Sequence, residues 1–336
     1  MLMGALKVTA TAPGVVKLFG EHAVVYGRPA IAMAINKGIK VTVEEGGGDS
    51  LTILAKDLAV KGVAIRVTGN SIEGSVIDDS QLSRLASYAL TALRIMTEKY
   101  GGDLRGIRVI IESQLPIGAG LATSAAVSVA AAAAYARLIN VKLSKEDIAK
   151  IGHSVELTVQ GAASPMDTAT SSMGGVMYIK PGVELRKLST SLKMPLVVGY
   201  VERELTTGEL VKRVKALYNK HPRVVEGIID SIGAIVDEAV TALSGGDYVA
   251  LGELMNINQG LLEALGVSNH RLSNIIYMAR KAGALGAKLS GGGGGGAMIA
   301  LAPGVEDKVA VAVELAGGEV ILIDVNYEGV HVEDYS

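Results

Sequence analysis

The chain has no cysteine, no tryptophan and a single phenylalanine in 336 residues. Missing thiols exclude disulfides, zinc–thiolate sites and cysteine nucleophiles. Scarce aromatic rings leave the core to Val, Ile, Leu, Ala and Met, with eleven Tyr beside them. An excess of one charge is also lacking. The net charge is −2, so neither nucleic acid nor an anionic membrane surface is expected as a partner. His22, His153, His221, His270 and His331 are scattered, with no two at metal-ligand spacing. From Gln114 to Tyr135 no residue is charged. Pro116, Gly118 and Gly120 break that run, and the remainder is shorter than the ~20 apolar residues of a membrane span. No basic stretch followed by an apolar run opens the chain, so a cytoplasmic location is expected.

What is present is strand and helix periodicity, over a length that suits one large or two modest domains. Ile39, Val41 and Val43 alternate with polar neighbours, and so do Val63, Ile65 and Val67. Ile107, Val109 and Ile111 repeat the pattern. A helix is predicted over about 80–100, with Leu82, Leu85, Ala89, Leu93 and Met96 on one face and Gly101-Gly102 as its stop. A second helix is expected over 123–138. A third starts at Ser144, whose spacing to Asp147 fits a variant capping box, and ends near Gln160. A strand follows at 176–179. The polar stretch 180–194 is read as the boundary between a first domain, 1–185, and a second, 186–336. The second half reads as a strand at 196–201, four helices between 207 and 282, strands at 287–289 and 297–301, a helix at 305–316 and a strand at 320–325. With the extra helices set aside, the order is that of a split βαβ sandwich. The fold class is α/β (α+β).

Four groups of residues carry chemistry. Residues 116–126, Pro-Ile-Gly-Ala-Gly-Leu-Ala-Thr-Ser-Ala-Ala, form a glycine loop that empties into a helix N-terminus, where unpaired amides and the helix dipole favour phosphate. No Gly-Lys-Ser/Thr closes the loop, so it is not a Walker A loop. A tight turn before a buried helix would explain it equally well. Ser124 in the first helical turn can reach a metal ion bridging phosphates. Glu156, mid-helix, and Asp167, on the loop after a Gly-Ala-Ala-Ser-Pro turn, each read alone as solvated carboxylates. Together they can face one cleft, one holding Mg²⁺ and the other accepting a proton from an attacking hydroxyl. The six glycines 291–296 lie between two strands. They form either a plain hairpin or a place where backbone approaches a ligand. Glu21 and His22 follow a strand at 15–19, where a substrate contact is reasonable. Lys17, the cation within that strand, otherwise reads as an outward lysine on an edge strand.

Together, Ala12-Pro13-Gly14, the 116–126 loop, Ser164-Pro165-Met166-Asp167 and the glycines 291–296 resemble the GHMP kinases over nearly the whole chain. Gly-Glu-His-Ala-Val-Val-Tyr-Gly at 20–27 resembles the members that phosphorylate mevalonate. The resemblance implies a two-domain GHMP kinase fold, with an N-terminal mixed sheet and helices and a C-terminal ferredoxin-like split βαβ sandwich carrying extra helices. It implies transfer of phosphate from ATP to mevalonate, giving 5-phosphomevalonate, an early step of isoprenoid synthesis. Asp167 is implied as the catalytic aspartate, and Ser124 and Glu156 as Mg²⁺ ligands. Pro116, Gly118, Ala119, Gly120, Leu121, Ala122, Thr123 and Ser124 are implied as the ATP loop. Glu21, His22, Thr207 and Gly292 are implied on the substrate side. A homodimer is common in the family. The family's lysine usually follows Pro-Gly directly, where this chain has Val15. Lys17, on the same strand face and displaced by about 6.6 Å, is expected to take its role. Two other readings stay open: a kinase for another small alcohol, including a different mevalonate hydroxyl or phosphomevalonate, and a non-catalytic sensor of the same fold.

Overall fold

A computed structural model of the chain describes residues 6–56, 62–68, 71–75, 80–161, 163–190 and 193–335. The first part runs through β1 (Lys7–Phe19), a 3₁₀ turn (Ala23–Tyr26), β2 (Ala30–Glu45), β3 (Leu51–Lys56), β4 (Gly62–Thr68) and β5 (Ser71–Ser75). It continues with α1 (Ser80–Tyr100), β6 (Ile107–Ser113), α2 (Thr123–Leu138), α3 (Lys145–Gln160), α4 (Met166–Met173), β7 (Val176–Lys180) and β8 (Glu184–Leu188). The second part holds β9 (Leu196–Val201), α5 (Thr207–Lys220), α6 (Pro222–Gly245), α7 (Tyr248–Ala264), α8 (His270–Lys281), β10 (Gly286–Leu289), β11 (Gly296–Leu301), α9 (Glu306–Leu315) and β12 (Glu319–Leu322). A last strand, β13 (His331–Tyr335), returns to pair antiparallel with β1.

The first sheet is mixed, in the order β13-β1-β2-β6-β3-β4-β5, with β7 and β8 attached along the first half of β2. Its inner face packs on α1, α2 and α3. Helix α2 is apolar all round and buries twelve residues, mostly Ala, as a helix enclosed by other elements must. The uncharged 114–135 run is therefore a loop and a core helix. Among the described residues no helix is long and apolar enough to cross a membrane.

The second sheet has the order β10-β11-β9-β12, all antiparallel. Numbered within its own motif this is 2-3-1-4, the ferredoxin-like arrangement of a split βαβ unit. Its open edge at β10 is covered by α7. Asn256 donates to the Leu285 carbonyl at 3.0 Å and accepts from the Ala287 amide at 3.2 Å, and Gln259 accepts from the Leu289 amide at 2.9 Å. These side chains satisfy backbone groups that an uncovered edge would leave unpaired. One apolar cluster joins the two sheets: Val16, Leu18, Ile31 and Met33 from the first meet Val198, Ile299 and residues of α6 and α7.

Several expectations are corrected. Asp167 does not sit on a loop but in the first turn of α4. The sequence Met-Asp-Thr-Ala-Thr-Ser-Ser-Met has weak helix propensity, and the helix is held instead by buried hydroxyls. Thr170 donates to Met166 O at 2.8 Å, Ser171 to Pro13 O at 2.6 Å and Ser172 to Lys145 O at 2.7 Å. The polar stretch 180–194 contains β8, paired with β7. β13 covers the other side of β1 only over 7–11. At 15–19 that side meets loops, with Leu121 O taking the Val15 amide and Ser290 Oγ the Lys17 amide. Strand β12 ends at Leu322, and the chain then crosses back to the first sheet, with Val325 bridging to Ile35. The side chain of Leu82 lies outside the described residues.

Candidate active site

The 116–124 turn lies against β1. Leu121 O accepts from the Val15 amide at 3.0 Å. A Cβ at Gly14 would come within 2.9 Å of that oxygen and 2.5 Å of Leu115, which explains glycine in Ala-Pro-Gly. Gly118 and Gly120 have positive φ, as a turn this tight requires. Ala122, the N-cap of α2, sits in the left-handed region at φ 57 and has no side-chain oxygen to cap the helix. The first amides of α2 thus lack an intrahelical or side-chain acceptor, which suits an anionic ligand.

Two acid-bearing pairs face this helix end. Ser124 Oγ donates to Glu156 Oε1 at 2.9 Å. Glu156 is buried, not a solvated surface group. Burial, and then the charge of Asp167, pushes its carboxyl up to about 7. Lys17 Nζ lies 2.8 Å from each carboxylate oxygen of Asp167. Lys17, which read in isolation as an outward lysine, is buried and spans from β1 to α4. Electrostatic coupling of Glu156 to both Asp167 and Lys17 places the two pairs in one cluster.

The second sheet closes the other side. Ser290 Oγ accepts from the Lys17 amide at 2.8 Å, and His22 Nε2 donates to Gly292 O at 2.9 Å. His22 is buried with φ 60, and burial keeps its imidazole pKa below the ordinary value. Glu21 is buried and paired with Lys288 of β10. Thr207 begins α5 and accepts from Arg203 Nη1 at 3.3 Å. Arg203 threads between the two glycine loops. A Cβ at Gly120 would meet its Nη2 at 2.5 Å, and one at Gly296 its Nε at 2.6 Å. A Cβ at Gly292 would meet Thr207 Oγ1 at 2.7 Å. The glycine run is therefore a hairpin whose bare backbone is required by close protein neighbours such as Arg203 and Thr207. Arg203 Nε is buried without a hydrogen-bond partner among the described residues. A planar cation with an uncommitted N–H is suited to a carboxylate or phosphate.

Arg203 was missed from the sequence, and Lys288 and Ser290, though part of the Lys-Leu-Ser that precedes the glycines, were given no role. Arg203 stands in Glu-Arg-Glu, which reads as solvated charge, and Lys288 in a short strand, where lysine usually marks an exposed edge. The Lys-Leu-Ser that precedes the glycines was the available signal.

A Mg²⁺ ion fits the residues at α2. Ser124 and Glu156 offer hard oxygen donors side by side, and burial first and the Asp167 charge second disfavour a bare Glu156 carboxylate, which a bound cation would offset. No cluster of three or more acidic or histidine ligands occurs among the described residues.

Comparison with known proteins accords with this geometry. The GHMP kinases N terminal domain matches residues 87–175, and the GHMP kinases C terminal domain matches 239–318. A mevalonate kinase of Pyrococcus abyssi is 44% identical over 333 residues, covering 97% of this chain and 98% of that protein. A mevalonate kinase of Saccharolobus solfataricus is 37% identical, covering 88% of this chain and 90% of that one. Among solved structures, the Methanococcus jannaschii mevalonate kinase superposes with a TM-score of 0.77 at 28% identity, covering 96% and 99% of the two chains. The L. major mevalonate kinase in complex with R-mevalonate shares the fold, with a TM-score of 0.80 at 24% identity over 94% and 95%. With relatives this similar along almost its entire length, the chain belongs to the GHMP kinase family, among its mevalonate kinases.

Proposed function

We propose that the chain transfers the terminal phosphoryl group of ATP to the primary hydroxyl of mevalonate, giving ADP and 5-phosphomevalonate, a step towards isoprenoids. The observation that supports this reading is that the Lys17–Asp167 pair, the Ser124–Glu156 pair and the amide-rich start of α2 are carried by β1 and by helices α2, α3 and α4, which pack on one another. Loop amides from Gly118 to Ser124 bind the phosphates. Ser124 and Glu156 hold Mg²⁺, which when bound neutralises phosphate charge. Asp167 takes the hydroxyl proton as the new oxygen–phosphorus bond forms and the bond to ADP breaks. Lys17 fixes the Asp167 carboxylate and lies beside the group in flight. Phosphoryl transfer asks mainly for positioning and electrostatics. Arg203, with Thr207 at its tip, is placed to take the mevalonate carboxylate, and His22 and Gly292 line the same side.

The reading divides the chain into a nucleotide-binding part, 1–185, and a second part, 186–336, that supplies Arg203, Thr207, Ser290 and Gly292. Cytoplasmic location and homodimeric assembly go with it as further expectations, checked by fractionation and sedimentation. The central test is coupled ADP release across mevalonate, phosphomevalonate, homoserine and galactose, with and without Mg²⁺. Release that needs both mevalonate and Mg²⁺ is expected. Preference for another alcohol, or no release at all, overturns the proposal.

A further inference from the structure

Three alternate residues leaving β10 grip the end of β1. Lys288 binds the Glu21 carboxylate and also donates to Leu289 O at 2.6 Å. Ser290 holds the Lys17 amide at 2.8 Å, and the Gly292 carbonyl holds His22 at 2.9 Å. Lys288 in β10 and Ser290, the first residue beyond it, are two apart and share a face, while Gly292 lies past the bend at Gly291, φ 97, and contributes its carbonyl. Ala287 and Leu289 pack into the cluster with α8, so Lys288 projects from the opposite face of the sheet, towards the first half of the chain. Its strand is fixed from behind by Asn256 and Gln259 of α7.

The Lys288–Glu21 pair is costly. Lys288 is fully buried. Burial holds its ammonium pKa below the ordinary value, with the charge of Glu21 offsetting part of the effect. Glu21 Oε2 is buried with no hydrogen-bond partner among the described residues. An apolar pair of similar volume would stabilise the fold as well or better, so stability is a weak reason for these charges. Their location is a better one. Glu21 lies between Gly20, at φ 95, and His22, at φ 60. Such a turn persists only when its surroundings over-determine it.

We propose that Lys288 is a positioning residue for the acceptor side of the site: through Glu21 it holds the Gly20–His22 turn against the second sheet, so that Lys17 and His22 stand at fixed places opposite the glycine loop. The inference rests on the reading of this cleft as the acceptor site. Lys288 touches neither substrate nor reacting atoms. It acts by fixing groups that do.

The test is a double-mutant cycle of Lys288→Met and Glu21→Gln, with kcat and KM measured for mevalonate and for ATP, and urea unfolding measured for each protein. Lys288→Met is expected to lower kcat/KM for mevalonate by about 10²-fold, the cost of a roughly 1 Å misplacement. The KM for ATP stays within about threefold, because the phosphate loop is untouched. The double variant should be no worse than Glu21→Gln within about threefold, since Lys288 acts only through Glu21. Folded Lys288→Met with normal kcat/KM for mevalonate, a KM for ATP raised as much as that for mevalonate, or independent losses that multiply would each overturn the proposal. If Lys288→Met does not fold, the comparison of the double variant with Glu21→Gln decides alone, because neutralising both partners removes the uncompensated buried charge. Failure of the mevalonate reading looks different: the wild type then releases no ADP with mevalonate, and the cycle is read on whichever alcohol it does accept.

Discussion

Asp167 and Glu156 are carboxylates close enough for the charge of one to act on the other, and their different surroundings go with the different tasks proposed for them. Asp167 is half-buried, with an ammonium on both oxygens. Glu156 is buried against a hydroxyl, with a second carboxylate nearby. Asp167→Asn should keep nucleotide affinity, measured by titration with a non-hydrolysable ATP analogue. Its turnover should fall at least ~10²-fold, the lower end of general-base effects. Near-normal turnover would remove Asp167 from the chemistry. Glu156 sets a pH dependence. Its folded-state pKa, about 7, lies above the ordinary 4.5, so between those values the native chain binds more protons than the unfolded one. Stability is then full at low pH and is lost as pH rises through about 7, by about 3 kcal/mol in all. Without Mg²⁺, Glu156→Gln should flatten that loss, so urea unfolding at pH 5 and pH 8 should differ less in the variant than in the wild type. A wild type that gains stability over this range relative to the variant would contradict the assignment. Residue types were legible in the sequence, because phosphate chemistry needs hydroxyls, acids and bare amides. Burial was not. Glu156 and Lys17 look like surface charges until their neighbours are known.

At the scale of elements, the start of α2 combines a favourable role with an unfavourable conformation. Ala122 is one of three non-glycine residues with positive φ among the described residues. The left-handed region costs a β-carbon about 1–2 kcal/mol, and glycine's extra freedom in the unfolded chain costs about 0.4–1 kcal/mol. Ala122→Gly should therefore stabilise the protein slightly, by about 0.5 kcal/mol, in urea unfolding, with nucleotide binding retained. A loss of stability would mean that the methyl group packs more than it strains. The helices over 80–100, 123–138 and 144–160 could be read from periodicity and stop signals, and Ser144 does cap the third, accepting from the Asp147 amide at 3.1 Å. α4 could not be read, because its polar residues favour turns in isolation and become helical only when buried partners take their hydroxyls.

At the scale of the whole molecule, the chain crosses from β12 back to the first sheet and touches the end of the helix that carries Asp167. Val330 N donates to Ser172 O at 3.0 Å, and Asn326 O accepts from the Gly175 amide at 2.6 Å. Lys187 donates to Tyr327 O at 2.8 Å and to Met173 O at 3.3 Å. Gly329, at φ 78, has no room for a side chain: a Cβ would meet Ser172 O at 2.2 Å and Gly174 N at 2.6 Å. Gly329→Ala should cost about 2–3 kcal/mol in urea unfolding, through strain and backbone displacement together, and should lower turnover as α4 moves. Full activity in a destabilised variant would show that this crossing supports the fold but not the site. The amino-acid sequence alone determined the order of most elements, the split βαβ pattern of the second half, the glycine loop opening into a helix start and the residue types near it, because these follow from local periodicity, propensity and side-chain chemistry. Tertiary structure decided which charges are buried, that Lys17 meets Asp167 across 150 residues and Lys288 meets Glu21 across 267, and that Arg203 lies between two glycine loops. Those contacts depend on how the two sheets pack, and no spacing along the chain encodes a distance through space.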